Sequence, residues 1–109
     1  LQKGAWKGKQ ILPSEVVASI TNGGDRSKFS EAGYKTLPGG SYGSQWWSLH
    51  NENGAYSARG IHGQAIYIDP TAEMVIARFA SNPISFNAGI DPNSLPAYQA
   101  VAKYLMKKT

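Results

Sequence analysis

The stretch Tyr56–Pro70 constrains the fold of this 109-residue chain most, because two glycines bracket an isoleucine and a histidine ahead of a strand-like run. Tyr56-Ser57-Ala58-Arg59 follows a glycine turn, and Gln64–Asp69 is rich in the β-branched and aromatic residues that suit a pleated surface. Glycine inside such a pattern marks either a β-bulge that turns the sheet or a point where something approaches the backbone closely. Spacing leaves both open. On the second reading Gly60 and Gly63 belong to a strand edge whose backbone faces a ligand.

The neighbouring segments supply partners for that stretch. Tyr42–Leu49 reads as an aromatic strand, and the Asn53-Gly54 dipeptide after it is a strong hairpin signal, so Tyr56 onward pairs back antiparallel. Gln64–Asp69 and Met74–Ala80 form the next hairpin through Pro70–Glu73. Ile66, Ile68, Val75 and Ile76 leave little polar alternation, which predicts a sheet covered on both faces. Upstream, Gly4–Lys9 is a glycine-bounded loop, and Pro13-Ser14-Glu15 opens a short helix that Asn22-Gly23-Gly24 stops. Asp25–Gly40 and Ser81–Asn93 read as irregular, the second holding Pro83, Gly89 and Pro92. A final helix over Leu95–Lys108, capped by Asn93 or Ser94, places Leu95, Tyr98, Val101, Ala102, Leu105 and Met106 on one stripe. The expected architecture is α+β: an antiparallel sheet of three to four strands packed against a C-terminal helix, all within one unit, residues 1–109.

Composition narrows the function classes. A hydrophobic content of 41% with 17% charged residues belongs to a globular chain. The net charge of +4 and pI near 9.4 raise nucleic-acid binding. The lysines, however, sit at the two ends (Lys3, Lys7 and Lys9; Lys103, Lys107 and Lys108) and never interleave with aromatics. A solvated surface is the reading, with no nucleic-acid partner. The absence of cysteine removes thiol catalysis, disulfides and Cys-based zinc sites. No apolar run approaches the ~18 residues of a membrane span. His50 with Glu52 offers two ligands in one turn, too few for a metal site.

Arg59-Gly60-Ile61-His62-Gly63-Gln64, with the following strand ending in Asp69-Pro70, resembles the last active-site strand of the β-lactamase-like (transpeptidase-like) serine hydrolases. That family spans class C β-lactamases, penicillin-binding proteins, esterases and 6-aminohexanoate-dimer (nylon oligomer) hydrolases. Its third motif, Lys-Thr-Gly or His-x-Gly, falls on Ala58-Arg59-Gly60. Ala58 replaces the basic first residue, so the amidase and esterase branches, and the 6-aminohexanoate-dimer hydrolases in particular, are the nearer resemblance. The likeness runs from Gly4 to the C-terminal helix but covers only the final third or so of such an enzyme. It implies a bacterial chain that begins inside or just after a helix, in the cytoplasm or the periplasm.

The resemblance also sorts the chemical candidates. The family nucleophile lies in Ser-x-x-Lys, and no serine here has a lysine three positions later. Tyr42-Gly43-Ser44 matches the second family motif in letters but stands at the wrong place in chain order. Gly39-Gly40-Ser41-Tyr42-Gly43 matches a nucleophile elbow in letters, yet that motif needs a strand before it and a helix after it. The chain alone is expected to be inactive, its nucleophile lying in an N-terminal catalytic portion that would be its partner. What the resemblance assigns here is one oxyanion donor, the backbone N–H of Ile61, with Gly60 letting a substrate carbonyl approach.

Two side chains are read as substrate-binding. Trp47 lines an acyl pocket, with Trp46 on the opposite face as core; the alternative for either is a place in the core alone. His62 stands at the mouth of a cleft and shapes specificity, the alternatives being a buried structural group or a base partnered by Asp69 or Glu73. Arg59 reads as an ion-pair residue. No metal or cofactor is called for, and the implied reaction is cleavage of a small amide or ester through an acyl-enzyme. The competing readings are a self-contained module presenting Tyr42, Trp46, Trp47 and Tyr56 to a carbohydrate or peptide, and an interaction domain that uses its terminal helix.

Overall fold

The computed structural model describes residues 1–86 and 92–108, so Gly89 of the expected Ser81–Asn93 loop lies outside the described residues. The chain begins with a small antiparallel hairpin, β1 (Ala5–Trp6) and β2 (Lys9–Gln10), where the glycines predict only a loop. Helix α1 (Ser14–Thr21) follows at the expected place, with Glu15 in its first turn and Asn22 as its C-cap. A second helix, α2 (Arg26–Glu31), then replaces the first part of the expected irregular stretch. Six residues are too few to show a helical period. The side chain of Asp25 caps it, accepting from Ser27 N at 3.0 Å and Lys28 N at 3.2 Å, and Phe29 is its buried residue.

The sheet is antiparallel and five-stranded, in the order β3 (Ser41–Gly43), β4 (Trp46–Ser48), β5 (Tyr56–Arg59), β6 (Ala65–Asp69), β7 (Met74–Arg78). Its count exceeds the expected three to four because Tyr42–Leu49 is a hairpin of two strands. Ser44 (φ 52°) and Gln45 (φ 67°) form its two-residue turn, with Gly43 paired to Trp46. Both turn residues lie in the left-handed region, which a type I′ turn demands and which non-glycine residues adopt at a cost. Neither Ser nor Gln advertises such a turn, so the sequence pattern runs straight through it.

Helix α3 (Ser94–Lys107) packs on one face of the sheet. Tyr98 meets Tyr67 at 5.2 Å between ring centroids, and Ala102 is buried. The core on this face joins Phe29, Leu37, Leu49, Tyr67, Met74 and Ala102, with Trp47, Ile76, Leu95 and Tyr98 packed around it. Only part of the expected stripe is engaged: Leu95, Tyr98 and Ala102 face the sheet, while Val101, Leu105 and Met106 remain exposed. At the far end of β6 the buried carboxylate of Asp69 ties two turns together, accepting from Asn53 Nδ2 and Ala72 N, each at 2.9 Å. Burial raises the Tyr67 phenol to about 12, with the Asp69 carboxylate adding to the shift.

The opposite face differs from expectation. Ile66 and Val75 stand there 43% and 51% exposed, and Phe79 beyond β7 is 93% exposed. The apolar run therefore matches a strand meant for two-sided burial, yet Ile66 and Val75 on its second side are left uncovered among the described residues. No helix among the described residues is long and apolar enough to cross a membrane.

The Ser44–Gln45 turn makes a direct prediction. Replacing the pair by Asn-Gly removes the left-handed penalty and should stabilise the intact protein by about 1 kcal/mol, read as a higher urea midpoint.

Candidate active site

The Gly60–Gln64 connection joins the two central strands, with Arg59 paired to Ala65 across its base. It is a hairpin loop built on a 3₁₀ turn, Ile61–Gly63, and so differs from a bulge within one strand. The expected strand edge nevertheless exists locally. Pairing of β4 with β5 covers only Trp47↔Ser57 and Ser48↔Tyr56. Among the described residues β5 has no paired strand on that side from Ala58 onward, and the backbone of Gly60 and Ile61 emerges there.

The loop is held from the other side by residues 80–85. The Gln64 side-chain amide donates to Ala80 O and accepts from Ala80 N at 3.2 Å. Asn82 N donates to His62 O at 3.0 Å, and His62 N donates to Ser85 O at 3.3 Å. The His62 ring donates its Nδ1–H to Asn82 O at 2.7 Å. His62 sits at φ 55° and Gly63 at φ 88°, two consecutive left-handed residues that turn the chain sharply. Any side chain at Gly63 would strike the Asn82 amide as well as strain the backbone.

These bonds decide what each expected site residue does. The Ile61 N–H has no hydrogen-bond partner among the described residues, and its side chain is exposed. Gly60 donates its own N–H to Gln64 O at 2.9 Å, which ties the Arg59–Gly60 peptide, next to the one that carries the Ile61 N–H, to the base of the loop. His62 lines neither of the two cavities described below among the described residues, because its ring is turned onto the Asn82 carbonyl. Asp69, one of the two alternative partners for a His62 base, is engaged with Asn53 and Ala72 at the end of β6.

Trp47 lies on the helix-side face with Tyr42, whereas Trp46 and Tyr56 pack together on the other. The four aromatics of the binding-module reading thus divide between two faces, as strand alternation requires. Trp47 is half-buried against the core and lines two cavities. One, of about 580 Å³, lies between the sheet and α3 and includes Ser57, Arg59, Tyr98 and Gln99. The other, of about 710 Å³ and more open, occupies the gap where β4 and β5 part and includes Tyr42, Gln45, Arg59 and Gly60. The open one is the candidate site, since it contains the glycine beside the Ile61 donor.

Arg59 departs from the ion-pair role. No carboxylate pairs with it among the described residues; its guanidinium lies over the Trp47 ring at 5.5 Å from the centroid. Such a stack contributes about 0.5–1 kcal/mol at an exposed site, comparable to a surface ion pair.

A second polar cluster was not legible in the sequence. Ser41 Oγ accepts from Gly24 N at 2.9 Å and lies 2.6 Å from His50 Nε2. This is hydrogen-bonded like a nucleophile and its base, but Ser41 has no exposed surface, so no acyl group reaches its oxygen. The cluster instead locks the β3–β4 hairpin onto the Gly23-Gly24 corner after α1. Gly23, at φ 81°, is required because a Cβ there would strike the Ser41 hydroxyl. Removal from water, reinforced by the Arg26 charge, holds the His50 imidazole below its ordinary value of 6.5.

No family model matches the sequence. A curated relative, the 6-aminohexanoate-dimer hydrolase of Paenarthrobacter ureafaciens, is 37% identical over 84 residues, which is 76% of this chain and 21% of that protein. A solved Bacillus anthracis structure, provisionally assigned as a 6-aminohexanoate-dimer hydrolase, superposes with a TM-score of 0.72 at 39% identity. The match covers 97% of this chain and 26% of that one, so the chain spans between a fifth and about a quarter of the length of these relatives.

The His50 shift carries a pH prediction. The unfolded chain binds a proton near 6.5 and the folded chain resists it, so this contribution is complete above 6.5 and lost as pH falls through the lowered folded value. The denaturation midpoint should decline between about pH 7 and pH 5, and His50→Gln should flatten that decline.

By sequence and by fold, the chain is homologous to a segment of the 6-aminohexanoate-dimer hydrolases and bears out the resemblance to β-lactamase-like hydrolases.

Proposed function

We propose that this chain is the C-terminal segment of a serine hydrolase that cleaves amide or ester bonds through an acyl-enzyme. Its contribution is the Ile61 backbone N–H as one oxyanion donor, with Trp47 and Gly60 forming part of the substrate wall. The observation that carries this reading is the Ile61 N–H itself. It has no internal partner among the described residues, it follows a glycine, and it lies at the unpaired end of β5 beside the open cavity. A fixed, unengaged donor next to a cleft is what a developing oxyanion needs, because its orientation is set before charge appears.

Relatives named for hydrolysis of 6-aminohexanoate dimer support an amide among the substrates. In this reading the nucleophile and its base belong to the remainder of the enzyme, so the isolated segment is inactive. The exposed sheet face at Ile66 and Val75 agrees with a larger body that covers it. His62 acts as a positioning residue: its ring and backbone bonds to Asn82 hold the loop that aims Ile61. The split of the aromatics between two faces counts against the self-contained binding module.

Ile61→Pro in the full-length enzyme tests the donor. Gly60 is extended, at φ −107° and ψ 171°, which suits a residue before proline, and Ile61 opens the 3₁₀ turn, where proline fits. The variant should keep its fold and its uptake of a serine-labelling fluorophosphonate, and kcat should fall by about 10²–10³. Turnover within a few-fold of the unaltered enzyme removes Ile61 from the oxyanion site. Absence of labelling in the unaltered enzyme removes the serine-hydrolase reading.

A further inference from the structure

We propose that Arg59 determines specificity by taking a carboxylate on the substrate, an inference that rests on the hydrolase reading above. Arg59 is the last residue of β5, directly before Gly60, and it lines both cavities. Its guanidinium lies over the Trp47 ring, 5.5 Å from the centroid, and that ring is itself fixed by Tyr34 at 5.3 Å, Tyr42 at 4.7 Å and Phe29 at 6.0 Å. A cation–π contact uses none of the guanidinium's N–H donors, so the planar fork that meets a carboxylate through two parallel hydrogen bonds is not spent on Trp47.

Three further observations favour an anion as the missing partner. No hydrogen bond or carboxylate engages the Arg59 side chain among the described residues. The described residues lining the two cavities include no Asp or Glu, so nothing in them competes for the guanidinium or repels an acid. A guanidinium also offers donors only and carries a positive charge, so the partner that complements it is an anionic acceptor.

The test uses the full-length enzyme with two probes: the linear dimer of 6-aminohexanoate, and the same molecule with its free acid converted to a carboxamide. The readout is the ratio of kcat/KM for acid over carboxamide, measured beside fluorophosphonate uptake. The unaltered enzyme should favour the acid by about tenfold or more, as a charge-assisted pair supplies. Arg59→Gln should bring the ratio toward one, chiefly by raising KM for the acid. Arg59→Lys, which keeps the charge but loses the fork, should retain an intermediate ratio. A ratio near one in the unaltered, labelled enzyme overturns the Arg59 assignment and leaves the hydrolase reading standing. So does an unchanged ratio in Arg59→Lys, which decides the matter if the Gln variant fails to fold. No labelling and no turnover in the unaltered enzyme overturns both.

Discussion

The brace between the β5–β6 loop and residues 80–85 is the interaction on which the candidate site depends. Gln64 pairs with both backbone groups of Ala80, and His62 is bonded to Asn82 through its ring and its carbonyl. These bonds satisfy the polar groups on one side of the loop and leave the Ile61 N–H on the other. They also hold two consecutive residues in the left-handed region, an arrangement that persists only where its surroundings enforce it. A loop without that brace would let the Ile61 peptide rotate toward water, and a donor free to rotate loses the advantage of being oriented in advance.

Trp47 organises the other wall. Contacts with Phe29, Tyr34 and Tyr42 bring α2, the segment after it and β3 against one ring, and each aromatic pair contributes about 0.5–1.5 kcal/mol beyond its buried area. The same ring supports Arg59. One ring thus belongs both to the packing around the core and to the lining of the cavity. The division between Trp46 and Trp47 follows from alternation in β4: neighbours in a strand cannot serve the same face.

The two sheet faces are unequal. One is closed by α2 and α3, with Tyr67 and Ala102 buried between them; the other keeps Ile66 and Val75 in solvent. A sequence cannot distinguish these cases, because a strand written for two-sided burial reads the same whether or not both covers are in the chain. The relatives are about four to five times longer than the matched segment.

By itself the sequence determined the element types and most of their order. The Asn-Gly turn, the β-branched runs of β6 and β7 and the terminal helix stripe act through local periodicity, and the Arg59–Gln64 motif located the loop. Three features belonged to tertiary structure. The Ser44–Gln45 turn is imposed by the pairing of Gly43 with Trp46, against local preference. The Ser41–His50 contact spans nine residues and requires Gly23 to stand aside. The cation–π contact of Arg59 with Trp47, with no ion pair among the described residues, follows from which side chains the pairing of β4 with β5 sets on one face. In each case the deciding energy lies between residues distant in sequence, so no local pattern records it.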